Sequence, residues 1–227
     1  MVILSAAFIV GSYSVASGLR SRNQQAQNEV SVTGSAEQAV TADTFEWDAS
    51  VASTRATTSA ALGQLNKWTA EIRAKLDAAG ANDSEITLGS VVVQPNTNDN
   101  GIVSSFTESK TITVRSQRLT AIRGVLGVDD ELLAANIPFI AQSPSYTYSG
   151  LKHLRPVLTA EATADARKRA VAALGGHGHL GKTLSISVGL FSVDAPGSVN
   201  IGSGDYNTST IHQVVSVEVR ASYATSS

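Results

Sequence analysis

The chain has 227 residues, 16 % of them charged, and a net charge of −2, so bulk charge offers no nucleic-acid surface and none is expected as a partner. Cysteine is absent, which excludes a disulfide framework, a zinc–thiolate site and a cysteine nucleophile. Hydrophobic residues reach 42 % but aromatics only 5 %, so a core of this size must be built from small and β-branched side chains.

Residues 2–19 carry no charge and are closed by Arg20 and Arg22. As a helix this run would extend roughly 27 Å, close to the thickness of a bilayer's hydrocarbon core. We read residues 1–22 as a membrane anchor or uncleaved signal, 23–28 as a polar spacer and 29–224 as a folded head. A cleavable signal is the alternative: Ser14-Val15-Ala16 suits a cleavage site, but a basic stretch before Val2 is missing and the apolar run is long. Arg20 and Arg22 by themselves vote for a cytoplasmic C-terminal side.

Within the head, Glu29–Gly34 reads as a short strand. Thr44–Arg55 alternates, with Phe45, Trp47, Ala49 and Val51 on one face. A helix is predicted over 58–79 from Leu62, Leu65, Thr69, Ile72 and Leu76, ended by Gly80. A strand over 86–94, a turn over 95–101 and a strand over 103–115 follow, with Asn100-Gly101 suited to the hairpin end. A helix over 119–135, broken near Gly127, precedes an extended stretch over 137–148.

The longest helical pattern is 151–174, with a stripe of Leu151, Leu154, Leu158, Ala162, Ala166, Ala170 and Ala173. Alternating strands at 183–193 and 211–223 form a C-terminal hairpin across a Gly/Ser/Asn-rich loop at 194–210. Leu184, Ile186, Val188 and Leu190 are expected to face one way on the first of these strands. Val215, Val217, Val219 and Ala221 do so on the second. The order is α+β, with a ferredoxin-like βαββαβ core followed by a long Ala-rich helix and a hairpin.

Several motifs invite a chemical reading and fail on context. Residues 176–183, GHGHLGKT, match a phosphate-binding loop letter for letter. That chemistry needs strand, loop, then helix, because helix N-terminal amides hold the phosphates. Here a helix precedes and a strand follows, so no nucleotide is expected. His177 and His179 supply two metal ligands at most, and His153 or Asp165 would have to add a third. Residues 96–101 resemble half a calcium loop but lack the acidic first and twelfth positions and the flanking helices. Asp43, Glu46 and Asp48 read as a solvated face rather than an acid–base pair, as does the basic run Arg167-Lys168-Arg169. No catalytic, cofactor or metal residue is assigned, and the chain is not read as an enzyme.

The succession of segments carries a resemblance. Val30-Ser31-Val32-Thr33-Gly34-Ser35-Ala36-Glu37, then Val40-Thr41-Ala42-Asp43 and Trp47, resembles the opening of a SIMPL-domain protein. So do Leu76-Asp77-Ala78-Ala79-Gly80-Ala81, Ser84-Glu85-Ile86 and Val93-Gln94-Pro95. Tyr146–Leu151, then Ala162, Ala166-Arg167, Ala170 and Leu180-Gly181-Lys182, are similar to the family's last helix and its exit. The resemblance implies an extracytoplasmic bacterial envelope protein with a signal or single anchor, and hollow or ring-like homo-oligomers. In some members it implies a link to oxidative-stress tolerance. The expectation is a single-pass, periplasmic head that self-assembles and meets the bilayer through residues 2–19. The alternative is a binding module for a small molecule or polymer, using the loops 96–102 and 194–210.

Overall fold

The computed structural model describes residues 28–226 except Ala121 and Val199. The expected anchor at 2–19 lies outside the described residues. Among the described residues, no helix is long and apolar enough to cross a membrane. The head is mixed α+β, and its chain divides into two compact units. A central unit comprises Val40–Leu151 and Asn207–Gln213; a terminal unit gathers residues 28–39, Lys152–Tyr206 and 214–226.

In the central unit, β2 (Thr44–Arg55) buries Phe45, Trp47, Ala49, Val51 and Ser53 on one face, as its alternation predicts. Helix α1 (Thr58–Ala78) starts where the Thr57 side chain accepts from Ala60 N–H at 3.3 Å. It buries Ala61, Leu65, Thr69, Ile72 and Leu76. The stripe therefore begins at Ala61, and Leu62, expected in it, is exposed. One residue of phase turns a helical position by about 100°. The helix exits through Gly80 at φ 104°.

The short β3 (Ile86–Leu88), β4 (Val92–Thr97) and β5 (Val103–Ser116) follow. After a 3₁₀ turn at Arg123–Gly127 comes α2 (Val128–Ala134), then β6 (Phe139–Ala141) and β7 (Ser145–Thr147). The sheet order is β3-β5-β2-β6, with β4 beside β5 and β7 beside β2, and every pairing is antiparallel. Trp47 and Phe139 meet at 5.6 Å between ring centroids within the core that Leu65, Ile72, Ile112, Val114 and Leu132 complete.

Three expectations change here. The strand expected over 86–94 is two strands, parted at Gly89–Val91. The turn expected from Pro95 begins only at Asn98, because β4 continues through Thr97. Pro95 is tolerated because β4 pairs with β5 alone, so its missing N–H costs no ladder bond on a second side. The helix expected over 119–135 shrinks to the seven residues of α2. Gly124 belongs to the preceding 3₁₀ turn, where a Cβ would stand 2.9 Å from the Ala79 carbonyl oxygen.

The terminal unit is a three-stranded sheet under one helix. Strand β1 (Glu29–Thr41) runs well past Gly34, where the sequence suggested its end. Helix α3 (Leu151–Leu174), β8 (His179–Asp194) and β9 (His212–Ser226) complete the unit, in the sheet order β1-β9-β8. Helix α3 has the bounds its stripe predicts and buries Leu154, Leu158, Ala162, Ala166 and Ala170. Ala166 and Ala170 pack on Ala221 and Tyr223 of β9. Small residues let the layers close. A Cβ at Gly34 would lie 2.2 Å from both the Ala162 carbonyl oxygen and the Ala166 nitrogen, far inside van der Waals contact, so only glycine fits beneath the helix.

Candidate interaction surface

The sequence motifs fall in places that serve the fold. Residues 176–183 leave α3 through Gly175 (φ 56°) and Gly176 (φ 82°) and enter β8 at His179. The helix precedes the strand, and its last carbonyls, not amides, lie at that end. Among the described residues, no group of three His, Asp or Glu side chains is placed to hold a metal ion.

The three acidic residues at 43–48 have separate partners. The Asp43 carboxylate accepts from the Ser149 hydroxyl at 2.7 Å and the Ser149 N–H at 3.0 Å. Burial pushes its pKa up, but these hydrogen bonds and one from Thr44 outweigh burial and hold it below the ordinary value. Glu46 faces Arg115 at 3.5 Å, and Asp48 accepts from the Thr113 hydroxyl. In the basic run, Arg167 lies over the Tyr223 ring at 5.9 Å, and Arg169 pairs with Asp165 at 2.7 Å.

Both candidate recognition loops are held by hydrogen bonds of their own. Residues 98–102 form a tight turn, in which Asn98 Oδ1 accepts from Asn100 N–H and Ile102 N–H. The segment after β8 doubles back: Val193 N–H donates to the Asp205 carbonyl at 2.8 Å, and Gly204 N–H donates to Ser192 Oγ at 2.9 Å. Further along, Gln213 Nε2 donates to the carbonyls of Tyr146, Asn207 and Thr210.

Two hollows bear on small-molecule binding. One, of about 200 Å³, is lined by Thr33, Ser187, Gly189, Glu218 and Arg220, below the usual range for a ligand pocket. The other, of about 410 Å³, lies between α1 and α2, and the Lys75–Glu131 ion pair at 2.7 Å sits on it. Neither is formed by the loops 96–102 or 194–210.

The sequence does not single out Glu108. It is only 2 % exposed, and among the described residues its Oε2 has no hydrogen-bond partner, nor has the Oγ of its cross-strand neighbour Ser53.

The surface that stands out is the outer side of β8, which no described residue pairs between Gly181 and Leu190. Residues 181–190 are exposed along their whole length. Leu184, Ile186, Val188 and Leu190 are 47 %, 50 %, 47 % and 63 % exposed. Ile186 pairs with Ala221 and Val188 with Val219, so both stand on the face that α3 covers over β9. The expected single row is broken after Val188. A register shift there pairs Phe191 with Val217, and Leu190 turns against Gly204. Similar shifts lie on the other side, leaving Ser185–Val188 as the regular stretch. The edge closes only at its end, where Val193 bridges to Tyr206.

The far edge of the same sheet differs. Ser35 N–H of β1 donates to Asp165 Oδ2 at 2.9 Å. This bond lowers the pKa of Asp165, against burial and with help from Arg169. Helix α3 thus engages one main-chain donor of β1, that of Ser35, with its own side chain.

Fold and surface together define an α+β head with a long, apolar outer strand at β8. The chain belongs to the SIMPL family, described as proteins of unknown function (DUF541), which it matches over residues 30–223. No curated protein matches the chain.

Proposed function

We propose that this chain is a non-enzymatic envelope protein whose head self-associates into a closed homo-oligomer, held at the membrane by residues 2–19 with the head on the extracytoplasmic side. The observation that carries this reading is the β8 edge. Monomeric proteins guard free edges with charges, proline or a covering segment. Between Gly181 and Leu190, β8 carries a single charge, Lys182, and no proline. Four half-exposed aliphatic side chains accompany it, and burying the remainder would contribute about 1 kcal/mol each. Identical subunits usually close such contacts into point-group symmetry. An association with envelope or oxidative-stress tolerance rests on the family resemblance alone.

Light scattering on the full chain in detergent tests this. The expected result is an oligomer at micromolar concentration; a monomer there overturns the reading.

A further inference from the structure

We propose that the contact at this edge is a two-fold, antiparallel pairing of β8 with β8 of a second copy, centred near Ser187. The proposal rests on the self-association reading and specifies its geometry. Three observations carry it.

First, of the two outer strands of this sheet, β1 is engaged by α3 near its middle, whereas no described residue pairs with the outer side of β8 between Gly181 and Leu190. Head-to-tail addition would need β8 of one copy to meet β1 of the next. The β1 edge has Ser35 N–H engaged by Asp165, Arg169 Nη2 donating to Ser35 Oγ at 3.3 Å, and α3 packed onto Gly34. The outer strands of the central sheet are guarded, β3, β6 and β7 by their three-residue length and β4 by Pro95, so β8 is left with its own copy, which is an isologous contact.

Second, the charges along the strand are opposed at its ends. Lys182 stands at the entry of the open stretch. At the exit the exposed Asp205 stands on the segment that closes the edge, whereas Asp194 is buried and accepts from Asn200 N–H. Antiparallel pairing brings the basic end of each copy to the acidic end of the other, twice by symmetry. Parallel pairing would set like charges side by side.

Third, the apolar residues are self-complementary about Ser187. Opposed residues in an antiparallel ladder point the same way, so a two-fold axis falls on a residue facing its own copy. With Ser187 at that position, Ile186 meets Val188 of the second copy on one face. The regular stretch Ser185–Val188 is then the centre of the contact, and the register shifts lie outside it.

Because the chain has no cysteine, single substitutions report the geometry directly. Ser185→Cys, Ile186→Cys, Ser187→Cys and Val188→Cys are each oxidised in the full chain, with circular dichroism as the check on folding. Facing Cα atoms in such a ladder are about 4.5–5.5 Å apart, within the range a disulfide spans. The expected result is efficient dimer formation at one position, with yield falling on either side. An oligomer by light scattering that forms no disulfide at any of the four positions overturns the two-fold pairing and leaves self-association standing. Equal yields at all four would mean parallel, in-register strands and also overturn it. A monomer overturns both.

Lys182→Glu is expected to raise the dissociation constant about five- to tenfold, with Lys182→Glu/Asp205→Lys recovering most of that loss. A double variant as weak as the single one removes the end-to-end charge pairing.

Discussion

Two glycines carry opposite consequences for the same change. Gly34 lies against the α3 backbone with no room for a methyl group, so Gly34→Ala must push β1 and α3 apart. A loss of about 3 kcal/mol or more is expected in chemical denaturation. Gly63 is exposed within α1, and a Cβ there would meet nothing within 4 Å. Gly63→Ala is expected to stabilise by about 0.5–1 kcal/mol, since alanine has less backbone freedom to lose.

Glu85 gives a pH signature at the same scale. Hydrogen bonds from Arg118 are the main cause that holds its carboxyl at about 2 rather than 4.5, with Ser116 and Asn82 N–H assisting against burial. Because the folded value is the lower one, this stabilisation is complete above about 4.5 and is lost as pH falls toward about 2. The side chains are 13 % and 43 % exposed for Glu85 and Arg118, so solvent screens the pair and its contribution is smaller than the shift alone implies. Glu85→Gln should therefore lower stability at pH 7, and its deficit relative to the parent should close between pH 4.5 and 2. A deficit that does not change with pH would show that the ionised carboxylate is not its source.

Among the elements, those with long periodic patterns were legible. Helix α3 and strand β2 have the bounds their stripes predict. What the sequence hid were features decided by partners. The extension of β1 to Thr41 depends on β9, which lies far along the chain. Pro95 and Asn96 have turn chemistry, yet they sit in a strand because its outer side is free. In β8, alternation marked the four aliphatic residues but not their faces, since each register shift inserts a residue and reverses the side that follows. The edge itself was unreadable, because a sequence does not say which strand lies outermost. Ile186→Lys places a charge at the middle of that edge, on a half-exposed side chain. It is expected to weaken assembly at least tenfold by sedimentation while leaving the melting temperature of the head within a few degrees. A large fall in melting temperature would mean Ile186 supports the fold itself.

At the scale of the whole molecule, the proposal assigns assembly to the head and attachment to residues 2–19. Removing residues 1–22 is expected to release a head that still assembles in the absence of detergent. A monomeric truncated head would place the driving contacts in the removed segment. A head that still partitions with vesicles would place membrane affinity in the described residues.

The order in which the units are written along the chain has a consequence for biosynthesis. Most of the central unit comes from one uninterrupted stretch, Val40–Leu151, whereas the terminal unit's middle strand, β9, begins at His212 and β1 ends at Thr41. A nascent chain can close the central sheet early. It must carry β1 unpaired until the rest has been made, because β9 stands between β1 and β8. The long loop to be closed makes this step slow. Until β9 arrives, β8 has two bare sides instead of one, and a crowded population of half-made chains is most prone to pair wrongly in that interval. A chaperone that holds extended apolar segments would find its natural substrate there.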